Sequence, residues 1–135
     1  MRLRYLPTSS ILVLTLLAGC GGPFYSLPGG ALDGEVVTSV PGDWSSLQDG
    51  VMHLETRIDD PYSVEINYVV RNGKLYIDPA EGRAWLANLR ADPKVRVRID
   101  GSVYPMQAML VQDPAEREGF EADRFVYRLD ARPAS

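Results

Sequence analysis

Residues 75–100, LYIDPAEGRAWLANLRADPKVRVRID, constrain the fold more than any other stretch of this chain. Just upstream, residues 62–70 (YSVEINYVV) alternate, with Val64, Ile66, Tyr68 and Val70 on one face. Asn72-Gly73 separates that run from the apolar residues 75–77. An Asn-Gly pair between two apolar runs predicts a tight hairpin, because both central residues of a type I′ turn need positive φ. Beyond the lead-in at residues 78–82, Trp85, Leu86 and Leu89 recur at helical spacing. Asp92-Pro93 ends that helix, since the residue before proline avoids the helical region. Residues 94–100 (KVRVRID) then alternate, with Val95, Val97 and Ile99 inward and Lys94, Arg96 and Arg98 outward. Asp100-Gly101 predicts a second hairpin turn.

The rest of the chain reads as β-structure on either side of this unit. Residues 34–40 (GEVVTSV) are a β-branched run and the first expected strand, and residues 51–57 (VMHLETR) are the second. Residues 102–112 form a long strand in which Pro105 implies an edge, a bulge or a bend. Asp113 and Pro114 suit the N-cap and first position of a short helix. Residues 124–131 make the last strand, with Phe125, Tyr127 and Leu129 on one face. Short antiparallel strands, two tight hairpins and one or two short helices indicate a mainly β fold, a small barrel or roll.

The N-terminus reads as an address. Arg2 and Arg4 precede the apolar run at residues 11–17, and Leu17-Ala18-Gly19-Cys20 follows. A basic start, a short apolar run and small residues before a cut site make an export signal. The run is shorter than the ~20 apolar residues a permanent span needs. Leu-Ala-Gly-Cys resembles the bacterial lipobox, which implies cleavage after residue 19 and a diacylglyceryl group on Cys20. Residues 20–33, rich in Gly and Pro, read as a flexible lipidated tether, and residues 34–135 as the folded domain. Gly21 after the cysteine resembles lipoproteins sorted to the outer membrane, facing the periplasm, in a diderm host. Cys20 is the only cysteine, which excludes an internal disulfide. Cleavage removes two arginines from a chain whose formal charge is already −4, and an acidic exported domain argues against a nucleic-acid partner.

Few residues offer chemistry. His53 is the only histidine, and no serine or cysteine partner stands in a recognisable motif beside it. One histidine and a lipidated cysteine leave no zinc site, and Asp59-Asp60 lack the spacing of a calcium loop, so no metal is expected. Trp85 reads either as the wall of a pocket or as the core anchor of its small helix. Lys94, Arg96 and Arg98 read as the wet face of a strand, or as a basic stripe meeting an acidic partner.

The central residues resemble the flavin-binding split-barrel superfamily, which includes pyridoxamine-phosphate oxidase-like proteins and deazaflavin-dependent reductases. The resemblance is carried by Gly73, Leu75, Tyr76, Ile77, Gly82-Arg83, Trp85, Asn88 to Pro93, and Val95-Arg96-Val97. Gly101, Tyr104, Ala108 and the run Asp113-Pro114-Ala115-Glu116-Arg117 continue it. It implies a small split barrel and a homodimer with a cofactor, FMN or a deazaflavin, in a groove between subunits. It places the cofactor phosphate near residues 79–83, held by Gly82 and Arg83, with Asn67 facing the flavin ring and Trp85 nearby. A helix start is a good anion site on physical grounds. Asp78 and Glu81 in the same loop oppose a phosphate, and residues 62–70 carry no basic residue as a second ligand. The short segment 118–123 implies that part of the cofactor wall is missing.

Three functions follow. The leading one is an envelope lipoprotein whose split barrel is a small-molecule or protein binding module. The second is a flavin- or deazaflavin-dependent oxidoreductase. The third is a haem-binding module with His53 as axial ligand, because some split-barrel relatives handle haem.

Overall fold

The computed structural model describes residues 22–133. Residues 1–19 and Cys20, with the export and lipidation expectations attached to them, lie outside the described residues. The strands are β1 (Glu35–Val36), β2 (Gly50–Thr56), β3 (Tyr62–Arg71), β4 (Lys74–Ile77), β5 (Lys94–Ile99), β6 (Ser102–Leu110) and β7 (Tyr127–Ala131). The helices are α1 (Ala84–Ala91), between β4 and β5, and α2 (Pro114–Arg117), between β6 and β7. Strands β2 to β7 pair in the order β6-β5-β2-β3-β4-β7, and β7 returns to β6, closing a six-stranded antiparallel barrel. The fold is therefore the mainly β barrel with two short helices that the sequence indicates.

Both predicted hairpins form where expected. Asn72 and Gly73 take φ of 50° and 73°, and Asp100 and Gly101 take 49° and 80°. They set the registers Val70↔Leu75 and Ile99↔Ser102. With register set, alternation decides what is inside. Val95, Val97 and Ile99 of β5 and Leu75 and Ile77 of β4 are buried in one cluster with Met52, Leu54, Met106 and Leu129. Helix α1 adds Trp85, Leu86 and Leu89 to the same cluster, so its apolar stripe closes the barrel core. Asn88 Nδ2 donates to Thr56 Oγ1 at 3.0 Å, and that hydroxyl donates to Tyr62 O at 3.1 Å, tying the helix to the β2–β3 turn.

Three strand expectations shift by two residues or more at an end. Only Glu35 and Val36 of residues 34–40 pair, in parallel with Ser102 and Val103 of β6. Strand β6 stops at Leu110, and β7 starts at Tyr127 instead of residue 124. Pro105 sits inside a doubly flanked strand, opposite Arg96 on β5. Its lack of an N–H is tolerated because the neighbour on the other side changes there: β1 pairs with residues 102–103 and β7 with residues 106–110.

The segment from α2 to β7 packs on the outside of the barrel. Tyr76, which points away from the interior between Leu75 and Ile77, is buried with Val111 and Val126, and Phe120 packs against them. Asp113 caps α2 through its side chain, which accepts from Ala115 N, and Pro114 takes the first position. Both are as the sequence predicts.

Candidate functional site

A cleft of about 470 Å³ opens between the first half of β3, the loop after β4, the start of α1 and the N-terminal segment. That volume is in the range of small-molecule sites. Asn67, Gly82, Arg83 and Trp85, which the sequence places on three separate features, all line it. Strand β4 ends at Ile77, the chain turns through Asp78 and Pro79, and Gly82 takes a φ of 87° that a side chain would strain. Helix α1 then begins at Ala84 with Arg83 as N-cap.

That N-cap makes no side-chain bond to the helix. The amides of Leu86 and Ala87 bond to Arg83 O, whereas those of Ala84 and Trp85, at the first two helical positions, have no intrahelical acceptor. The positive end of the helix dipole therefore faces the cleft with two donors open. The Arg83 guanidinium is exposed and, alone among the described arginines, has neither an ion pair nor a hydrogen bond. An unpaired cation beside an uncapped helix start is a built-in place for an anion.

A second cation comes from a residue the sequence reading did not single out. Arg124 lines the cleft, donates to Asp78 O at 3.2 Å and lies 3.4 Å from Glu121. Its neighbour Phe125 donates its amide to Pro79 O at 3.0 Å. The short connection from α2 thus reaches the loop, supplies part of the wall and brings a second basic group. The only available signal was composition: a lone Arg between Asp123 and Phe125, with no pattern to aim it.

The acidic residues divide. Glu81 pairs with Arg90, both carboxylate oxygens lying 3.2 Å from guanidinium nitrogens, and those bonds lower its pKa. The loop's second carboxylate is therefore largely offset by Arg90. Asp78 stays in the cleft lining. Glu65, also in the lining, meets His53 Nε2 at 3.1 Å, while Arg98 Nη2 bonds His53 Nδ1. Arginine only donates, so Nδ1 accepts and the Nε2 proton goes to Glu65. Both ring nitrogens are engaged, and a haem ligand role for His53 would break one of these bonds.

Trp85 answers to both of its readings: it is 9% exposed, packs in the core cluster and lines the cleft. Of the basic stripe on β5, Lys94 is exposed, whereas Arg96 and Arg98 are held. Arg96 donates to Leu32 O at 2.9 Å and Arg98 to Asp33 O at 2.9 Å. Leu32 N donates to the buried Glu55 carboxylate at 2.7 Å, and Gly29 and Ser63 exchange backbone bonds of 2.9 Å. These contacts hold the N-terminal segment against the barrel, where Tyr25, Ser26, Leu27 and Pro28 complete the cleft.

Residues 65–128 match the family described as F420H(2)-dependent quinone reductase. No curated protein matches the chain. Among solved structures, the chain is similar to a putative pyridoxamine 5′-phosphate oxidase from Listeria innocua, with 17% identity and a TM-score of 0.51, covering 67% of this chain and 88% of that one. It is also similar to a conserved hypothetical protein from Mycobacterium tuberculosis, with 20% identity and a TM-score of 0.51, covering 65% and 75%. These structural likenesses are likenesses of fold. The chain thus has the split-barrel fold of these structures, and from residue 65 to residue 128 its sequence resembles the family described as F420H(2)-dependent quinone reductase.

Proposed function

We propose that the cleft binds a flavin or deazaflavin by its phosphate, and that the chain is an oxidoreductase using that cofactor. The observation that carries this reading is Arg83, a guanidinium without a partner at the uncapped start of α1. The family match supports it, because residues 65–128 include that helix, its lead-in loop and Arg124.

In this reading Arg83 and the amides of Ala84 and Trp85 hold the phosphate, and Arg124 adds positive charge from the facing segment. Trp85 offers an apolar wall, and Asn67, exposed on β3, offers a polar edge that can both donate and accept. Such a cofactor supplies hydride transfer, and the protein's part is to bind it, orient it and keep water off.

The test is an absorbance titration of the full chain with flavin mononucleotide and with a deazaflavin. Saturable binding is expected for at least one. A hydrogen bond to a charged group contributes roughly 1.5–3 kcal/mol, so Arg83→Ala should weaken it by about ten- to a hundredfold. A chain that binds neither cofactor would overturn the proposal and favour a binding module for other ligands.

The same proposal includes a location. The sequence supports acylation of Cys20 and anchoring in the cell envelope, on the outer membrane in a diderm host. No helix among the described residues is long and apolar enough to cross a membrane. Two or more acyl chains give stable anchoring, at about 0.8 kcal/mol per buried methylene.

A further inference from the structure

The N-terminal segment carries an apolar turn that the barrel does not cover. Phe24, Tyr25 and Leu27 are 68%, 74% and 64% exposed. The turn has a defined shape. Phe24 and Leu27 exchange backbone bonds of 3.1 and 2.9 Å, Tyr25 takes a φ of 51°, and the Phe24 and Tyr25 rings meet edge to face at 4.6 Å. It is also held in place. Beyond the bonds at Gly29, Leu32 and Asp33, Ser63 Oγ donates to Gly30 O at 2.7 Å. A fixed turn that presents two aromatic rings and a leucine outward is built to be covered.

The sequence indicates by what. Cys20 lies four residues before Phe24, a reach of at most about 14 Å. No charged residue occurs between Arg4 and Asp33, so nothing in this segment resists entry into a lipid interface. We propose that the Phe24–Leu27 turn is a membrane-contact element, seated in the interfacial layer of the bilayer to which acylated Cys20 anchors the chain. The inference rests on the acylation proposed above and is independent of the cofactor. Tyr25 suits that layer because its ring pairs an apolar body with a polar hydroxyl, while Phe24 and Leu27 supply purely apolar surface to bury. Leu27 and its neighbours also line the cleft, so the cleft mouth then opens at the membrane surface. Ligands dissolved in the bilayer reach it directly.

The experiment uses the full, processed chain reconstituted in phosphatidylethanolamine–phosphatidylglycerol vesicles containing doxyl-labelled phosphatidylcholine. Acylation blocks the one natural thiol, so Phe24→Cys provides a single site for a fluorescent label. Lys74→Cys is the control: it is exposed and lies beyond the far end of β3. The turn is pinned at Ser63, and the eight residues from there to Arg71 span about 27 Å. Doxyl lipid should quench the label at position 24 severalfold more than the label at position 74. Equal, weak quenching at both sites on an acylated chain would overturn the inference alone, as it would if a second copy of the chain covered the turn. A chain whose mass shows no acyl group would overturn the anchoring proposal and this inference with it.

Discussion

Replacing Tyr76 by Phe should reverse a stability difference as pH rises. The Tyr76 phenol donates to Glu116 Oε1 at 2.8 Å, and the same oxygen accepts from Arg128 Nη1 at 2.8 Å. Tyr76 is only 4% exposed. Burial, then the bond to Glu116 and its charge, push the Tyr76 pKa from 10.0 up to about 12. The fold therefore favours the neutral phenol. This contribution is complete below pH 10, where the phenol is protonated in both states. It is lost as pH rises from 10 towards 12, because the unfolded chain releases its proton first. The loss amounts to about 2.7 kcal/mol for a two-unit shift, at 1.36 kcal/mol per unit. At pH 8, Tyr76→Phe loses one hydrogen bond and should be less stable by about 1 kcal/mol. Glu116 stays satisfied by Arg128. Linkage then brings the two stability curves together at roughly pH 10.7 and leaves the Phe variant more stable above it. Urea unfolding followed by tryptophan fluorescence from pH 8 to pH 11 reads this out. The difference between the two proteins cancels the remaining tyrosines. A gap that stays constant with pH would refute the argument that burial against Glu116 holds this phenol neutral.

Two further perturbations test the parts that position the cleft. Leu86 is 1% exposed in the core cluster, so Leu86→Ala should cost about 2–5 kcal/mol in chemical unfolding. Weaker cofactor binding should accompany it, because the same helix carries Arg83. Gly73→Ala places a Cβ at a φ of 73° and against the Asp43 carboxylate, and strain of this kind costs about 1–3 kcal/mol. The loss should appear as a lowered urea midpoint with an unchanged slope; an unchanged midpoint would refute the argument that this turn requires glycine.

Much of the barrel was legible because its signals are local. Asn72-Gly73 and Asp100-Gly101 require positive φ, and a tight turn with a known register leaves alternation to decide which side chains enter the core. Trp85, Leu86 and Leu89 needed only helical spacing. Pro105 was less legible: an edge, a bulge or a bend was the local expectation, and the proline sits where one neighbouring strand gives way to another. That is a property of the whole sheet.

The candidate site divides in the same way. Gly82, Arg83, Trp85 and Asn67 could be named from a resemblance, and the loop and helix start supply a physical reason for an anion there. The β3–β4 hairpin carries the loop after β4 back beside β3 and so brings them together, whereas the rest of the cleft wall, residues 25–28 and Arg124, comes from distant parts of the chain. Arg124 is more than 40 residues from Arg83, and it enters because its neighbour's amide pairs with Pro79 O across the cleft wall. Arg96 and Arg98 alternate outward as expected, yet the residues they meet, Leu32 and Asp33, come from the far end of the chain. The turns, the inward faces and the short helices are written locally, because each depends on neighbours a few residues away. Which arginines are paired, that Arg83 among those described is left open, and what walls the cleft depend on long-range packing that local pattern does not encode.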